Sequence, residues 1–219
     1  MIARDGYTTI ALVLFFCTTA YTLTYFFVDH WVAYILYAVL VLLILQVLWF
    51  FRDPDRTPPA GPDLIIAPAD GTVVLVKEVD EPVYIKGKAK QVSIFLSTLD
   101  VHVNRNPVSG VLEYVKYHPG KFLAAWDERA SDLNERADFG VLHNSGTKVF
   151  YRQITGLLAR RIVYRIQEGD QLTAGERFGM MKFGSRMDVL VPAHVQITVK
   201  KGDRTKAGES VLGSIESGS

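Results

Sequence analysis

The chain has 219 residues, 49% of them hydrophobic, and 24 Lys and Arg against 23 Asp and Glu, for a formal net charge of +1. Near-neutral charge without a basic cluster leaves no electrostatic footprint for nucleic acid, so no nucleic-acid partner is expected. Cys17 is the only cysteine, which excludes an intramolecular disulfide, a cysteine-based zinc site and a CxxC redox pair.

The hydrophobic residues crowd the start of the chain. No charged residue occurs from Gly6 to Val28, and after Asp29 and His30 none occurs from Trp31 to Phe51. A membrane-spanning helix needs about 20 mostly apolar residues, each advancing roughly 1.5 Å across some 30 Å of hydrocarbon. Both runs meet that requirement, and the short Val28-Asp29-His30 connection predicts a transmembrane helical hairpin over residues 1–51. Tyr7, Tyr21, Trp31, Tyr34 and Trp49 suit the interface or the packing of the pair. A secretory leader would have a shorter apolar core, a stronger basic lead than Arg4 and no second run. Arg4 precedes the hairpin, Arg52 and Arg56 follow it, and its tip has neither Lys nor Arg. That asymmetry predicts a cell (inner) membrane protein whose later residues face the cytoplasm.

Residues 52–63 form a proline-rich linker, since four prolines and alternating charges stop the helix from continuing. Residues 64–219 then read as a mainly β domain. Short β-branched segments bounded by turn residues fall at Leu64–Ile66, Thr72–Val76, Gln91–Leu96, Val111–Tyr117, Val141–His143, Val149–Ile154, Arg161–Ile166, Met187–Val191 and Val195–Lys200. Only Phe122–Arg136 lacks alternation, and it predicts a helix or an ordered loop. An internal echo, "EGDQLTAGERFG" from Glu168 and "KGDRTKAGESVLG" from Lys201, repeats Gly-Asp and Ala-Gly-Glu at one offset. Paired turns of that kind resemble those of biotinyl/lipoyl-like β-sandwiches, an analogy of fold that carries no activity.

The pair Gly184-Ser185 interrupts two strand-like stretches. A Gly-Ser bond held in a strained turn offers its own carbonyl to the serine hydroxyl, because glycine tolerates unusual φ/ψ and shields nothing. The N→O shift gives an ester, β-elimination frees Gly184 as a new C-terminus, and hydrolysis of the dehydroalanine at 185 leaves a pyruvoyl group. Such a ketone forms a Schiff base with a substrate amine and acts as an electron sink. Most Gly-Ser pairs are ordinary turns. Gly213-Ser214 and Gly218-Ser219 serve as internal comparisons, because cutting at either leaves a tail too short for its own strand pairing.

Six segments occur in order: "FFRDPDR" (50–56), "PADG" (68–71), "DVHVNRNPVSG" (100–110), "YHPGKF" (117–122), "NER" (134–136) and "GERFGMMKFGSR" (175–186). Together they closely resemble the short, archaeal-type phosphatidylserine decarboxylase proenzymes. The resemblance implies that Ser185 is the precursor of a covalent pyruvoyl cofactor and that Gly184-Ser185 is the scissile bond. It implies a self-cleaved heterodimer of a β chain, residues 1–184, and an α chain, residues 185–219. It also implies conversion of phosphatidylserine at the membrane to phosphatidylethanolamine, with loss of CO2. A higher homo-oligomer stays open.

Self-cleavage needs a proton acceptor, and a carboxylate with an imidazole is the usual combination. The family match selects Asp70 and His102 as catalytic candidates, although Asp70 alone reads as a turn aspartate and His102 as a strand histidine. Longer members of the family carry a second histidine three positions after the first, where this chain has Arg105. Arginine is no base near neutral pH, so either His102 serves both steps or another group substitutes. Arg105, Asn134 and Arg136 are candidate substrate-binding residues, with surface ion pairs and a capped turn as the plain alternatives. His118, His194 and His143 read as turn or strand residues, and the scattered histidines predict no metal site. A different class remains in view: a membrane-tethered biotinyl/lipoyl-like carrier or adaptor modified at Lys182 in "MMKFG".

Overall fold

No proline or glycine falls between Tyr7 and Phe27 or between His30 and Phe50, and both stretches are helical, α1 over Tyr7–Phe27 and α2 over His30–Phe50. Both are long and apolar enough to span a membrane, with mean hydropathy of 1.8 and 2.5. Hydroxyls within α1 are satisfied locally, Thr18, Thr19 and Thr22 each donating to a carbonyl one turn back at 2.9 Å. That is how a polar side chain is carried in a hydrocarbon setting. The two helices close on each other: Tyr21 and Tyr37 meet with ring centroids 4.6 Å apart. At the other end the Ala3 N–H donates to the Phe51 carbonyl at 2.8 Å.

The computed structural model describes residues 1–127, 129–157, 161–182 and 184–215. It divides into two units, Met1–Asp55 and Arg56–Ser219. The second is the β domain. Its strands are β1 (Leu64–Ile66), β2 (Gly71–Glu81), β3 (Gly87–Leu96), β4 (Val103–Arg105), β5 (Gly110–His118), β6 (Arg136–Leu142) and β7 (Lys148–Ile154). There follow β8 (Ile162–Tyr164), β9 (Gln171–Leu172), β10 (Arg177–Met181), β11 (Ser185–Pro192), β12 (Gln196–Ile197), β13 (Arg204–Thr205) and β14 (Val211–Ser214). A single helical turn, α3 (Ala130–Leu133), lies between β5 and β6. The segment 122–136 is therefore mostly ordered loop.

One eight-stranded sheet runs β13-β2-β3-β11-β7-β6-β5-β9, and two three-stranded sheets run β1-β14-β12 and β4-β10-β8. The large sheet reads the same from either edge inward. The echoed turns show why: Gly71 pairs with Thr205 just as Gly110 pairs with Leu172. Gly175 and Gly208 both adopt positive φ, 79° and 76°, which glycine reaches without a Cβ penalty. Their N–H groups donate to the carbonyls of Asn106 and Ala67 at 2.8 and 2.9 Å. "APADG" (67–71) is thus the structural counterpart of "NPVSG" (106–110).

Alternation along the central strands sends Val92, Ile94, Phe139, Val141, Tyr151, Met187 and Val189 into one core. There Phe139 stacks on Tyr151 at 5.2 Å and Phe178 stands edge-on to both at 5.4 Å. The opposite face of the same strands carries Gln91, Ser93, Asp138, Arg152, Arg186 and Asp188, and all six are buried too. The segment around α3 covers part of this polar face, since the Ser131 hydroxyl donates to Asp188 at 2.7 Å and Arg186 donates to the Asp127 carbonyl at 3.2 Å.

Candidate active site

Ser185 is the first residue of β11, which lies in the middle of the large sheet. It pairs with Leu96 of β3, and from Arg186 onward β11 pairs with β7 as well. Gly184 holds the turn ahead of it at φ 66°, where a Cβ would meet nothing within 4 Å, so its requirement for glycine is conformational. The Ser185 side chain is fully buried, and its Oγ makes no hydrogen bond among the described residues. Burying an unpaired hydroxyl costs about 1–3 kcal/mol, a cost native folds rarely bear outside a site with a use for the group.

His102 is buried at the end of the loop between β3 and β4. Its Nδ1 lies 2.9 Å from the Asp100 carbonyl and its Nε2 3.4 Å from the Gly184 nitrogen. A carbonyl only accepts and a peptide N–H only donates, so both contacts are satisfied by one tautomer: Nδ1 carries the proton and Nε2 presents its lone pair. Asp100 shapes this loop. Its carboxylate accepts from the Ser97 N–H and hydroxyl, both at 2.8 Å, and from Arg204 at 2.5 Å. Burial pushes the Asp100 carboxyl up, but these bonds from Arg204 and Ser97 outweigh it and hold the group below the ordinary carboxylate range.

The Gly184 carbonyl has its own space. Gly156, just past β7, faces it so closely that a Cβ there would stand 2.3 Å from the Gly184 oxygen. Gly184 also lines an apolar pocket of about 260 Å³, together with Phe95, Ser97, Thr98, Ala125, Trp126 and Leu157. Asn134 holds the wall that carries Trp126. Its side chain accepts from the Leu123 N–H at 2.9 Å and donates to the carbonyls of Leu123 and Thr155 at 2.9 and 2.8 Å.

The other predicted residues make contacts of their own. Asp70 accepts from the Ala207 N–H at 2.7 Å and from Arg56 at 2.9 Å. It occupies the place that Ser109 takes in the other half, where the Ser109 hydroxyl accepts from Ala174 N–H at 3.0 Å. Turn-holding is therefore common to both halves, and the negative charge is particular to Asp70. Asp70 reaches the centre through the sheet: Gly71 lies against the Phe95 carbonyl, and the next residue, Leu96, pairs with Ser185. Arg105 is buried and donates to the Gly175 carbonyl at 2.9 Å. Arg136 donates to the Asp132 carbonyl at 3.0 Å and pairs with the buried Asp138 at 3.3 Å. Lys182 is half-buried, its N–H donating to the Arg161 carbonyl at 3.3 Å. His118 pairs with Asp138 at 3.1 Å, and His143 contacts the Pro62 carbonyl and the Ser145 hydroxyl. No cluster of three or more His, Cys, Asp or Glu suited to a metal occurs among the described residues.

Four residues of the site escape sequence reasoning: Asp100, Gly156, Arg186 and Asp188. Arg186 and Asp188 form a fully buried ion pair at 2.6 Å. Arg186 also donates to the Ser93 hydroxyl at 2.7 Å, and Asp188 accepts from Gln91 at 3.0 Å. Only Asp100 had a signal, its place two residues before His102. Gly156 has none, because a glycine in a loop is ordinary until the opposing carbonyl is seen.

Comparison with known proteins agrees over most of the chain. A family profile described as phosphatidylserine decarboxylase matches residues 43–213. A phosphatidylserine decarboxylase proenzyme of Salinibacter ruber is 54% identical over 171 residues, 77% of this chain and 75% of that one. One of Symbiobacterium thermophilum is 50% identical over 186 residues, 85% of each chain. One of Prosthecochloris aestuarii is 42% identical over 212 residues, 97% of this chain and 96% of the relative, which takes in the helical hairpin.

Proposed function

The chain belongs to the phosphatidylserine decarboxylase family, and on that premise we propose that it is a proenzyme that cuts itself between Gly184 and Ser185. The mature enzyme converts phosphatidylserine to phosphatidylethanolamine and CO2. The observation that carries the choice of bond is the buried Ser185 hydroxyl, unbonded among the described residues, next to a glycine at positive φ whose nitrogen lies 3.4 Å from His102 Nε2.

The cut follows from those positions. As Ser185 Oγ attacks the Gly184 carbonyl carbon, His102 Nε2 accepts its proton, and the Asp100 carbonyl on Nδ1 steadies the imidazolium that results. The peptide C–N bond breaks as the ester forms, and the proton passes to the freed amine. Loss of the Ser185 α-proton then breaks the Cβ–Oγ bond and releases Gly184 as a carboxylate. The dehydroalanine left behind takes up water and loses ammonia. Asp70 belongs to this set through the turn it holds ahead of β2, two strands from Ser185 in the large sheet. With Arg105 committed to the Gly175 carbonyl, His102 is the base for self-cleavage.

The residues present fit a pyruvoyl group at 185. The carbonyl side is kept clear by Gly156, and the strand behind it is pinned by pairing on both sides. When formed, the group supplies a ketone that takes the substrate amine and withdraws the electron pair left by CO2. His102 Nε2 is the group placed to hold and return the proton to carbon. Asn134 and Arg136 position the substrate-side wall, Asn134 through residue 123 and Arg136 through Asp132 of α3. After the cut, residues 185–219 stay with residues 1–184 because β11 hydrogen-bonds to both β3 and β7.

Within the same reading the chain is of the short, archaeal-type class, and its β domain is biotinyl/lipoyl-like. Support for the fold comes from the echoed turns and the strand order that repeats from either edge. The hairpin holds the β domain at the cytoplasmic face of the cell membrane, supported by Arg4, Arg52 and Arg56 flanking it and a tip free of Lys and Arg. Intact-mass analysis tests the whole: two chains divided at Gly184, with the serine nitrogen lost from the second, are expected. A full-length active chain overturns the proposal, and mass added at Lys182 supports the carrier reading instead. Ser185→Ala should remain uncut and inactive.

A further inference from the structure

The most exposed large apolar side chains of the β domain line one pocket or adjoin its lining in sequence. Among its described residues, Leu99, Trp126 and Leu157 are 69%, 64% and 60% exposed, while the next large apolar side chain, Tyr117, reaches 48%. Trp126 and Leu157 line the pocket that ends at Gly184, and Leu99 directly follows the lining residue Thr98. The three come from separate segments: the loop after β3, the loop before α3 and the loop after β7. No single amphipathic element carries them: the fold brings Trp126 and Leu157 to one pocket, and Leu99 adjoins it through Thr98. Trp126 is also held in place, its ring edge-on to Phe95 at 5.7 Å.

Resting on the decarboxylase reading, we propose that Leu99, Trp126 and Leu157 form a lip that inserts into the lipid leaflet around the mouth of the Gly184 pocket. The same chain carries two helices long and apolar enough to span a bilayer, so a lipid surface is the apolar phase always at hand. Tryptophan favours the level of the headgroups, and leucine the acyl region just beneath. With the lip inserted, phosphatidylserine passes from leaflet to pocket without its acyl chains crossing water. The apolar walls then meet the glycerol and upper chain, and the head group reaches residue 185.

The test uses the full chain in vesicles of phosphatidylcholine and phosphatidylserine, with Trp31→Phe and Trp49→Phe leaving Trp126 as the only tryptophan. Acyl chains brominated near the headgroup should quench Trp126 strongly and shift its emission to the blue. Emission like that of a water-exposed indole, unchanged by bromine, overturns the lip. A shift that depends on protein concentration and ignores bromine also overturns it, since a second copy then covers the surface. Leu99→Glu should lower turnover of vesicle phosphatidylserine about tenfold while leaving a short-chain, monomeric phosphatidylserine turned over normally. Equal loss on both substrates overturns the proposal. Quenching is read as well in Ser185→Ala, which stays uncut, so the lip is judged on its own signal, while failure of the chain with Ser185 intact to self-cleave sinks the decarboxylase reading.

Discussion

Replacing Gly156 with alanine tests the site at its tightest point. The new Cβ would stand 2.3 Å from the Gly184 oxygen, 3.3 Å from its carbonyl carbon and 3.0 Å from the Ala125 Cβ. Close carbon–oxygen contacts settle near about 3.3 Å, so the Gly184 carbonyl must retreat by roughly 1 Å. A misplacement of about 1 Å at a reacting centre costs on the order of 100-fold, or ~2.7 kcal/mol of barrier. Gly156 is not among the positive-φ glycines, so alanine adds no backbone strain and the fold should persist. The assay is a time course of newly made chain on a denaturing gel, with circular dichroism and a thermal melt to establish folding. Gly146→Ala is the contrasting control: φ is 83° and nothing lies within 4 Å, so it should cost about 1 kcal/mol of stability and leave cleavage alone. Self-cleavage of a folded Gly156→Ala chain at the normal rate would refute the proposal that the Gly184 carbonyl is the one attacked.

His102→Gln, which keeps a polar group at 102 but no base, should fold and slow self-cleavage by about 10²–10⁴-fold; a gel time course reads it. Arg186→Met strands Asp188 in a fully buried position and should destabilise the domain by about 3–5 kcal/mol, measured by urea unfolding. Asp100 titrates below the ordinary carboxylate range in the fold, so its stabilising contribution is present above the unfolded-state pKa and is lost as pH falls through the folded one. Arg204→Ala removes the bond from Arg204, raises the folded pKa and should move the acid limb of stability to higher pH, as urea melts across a pH series would show. An unmoved acid limb would mean that Arg204 does not hold Asp100.

Two features of this protein were legible in the amino-acid order because each depends on near neighbours. The hairpin follows from uncharged runs long enough to cross hydrocarbon, and the strand content from alternation and turn residues. The echoed Gly-Asp and Ala-Gly-Glu turns announced a repeat, although its counterpart between "APADG" and "NPVSG" shares too little sequence to be seen before the turns are superposed. The Gly-Ser bond was singled out by its chemistry and by the ordered segments around it. Its surroundings depend on distant pairs. Arg186 meets Ser93, 93 positions away, and Gly156 meets Gly184 across a loop. Alternation places Arg186 and Asp188 on the face opposite the apolar core, which in an antiparallel sheet usually means solvent. Here the segment around α3 folds over them, so the same period leads to a buried ion pair. Periodicity tells which side chains share a face; only tertiary packing decides whether that face is covered, and therefore which carboxylates, cations and carbonyls come to lie beside Ser185.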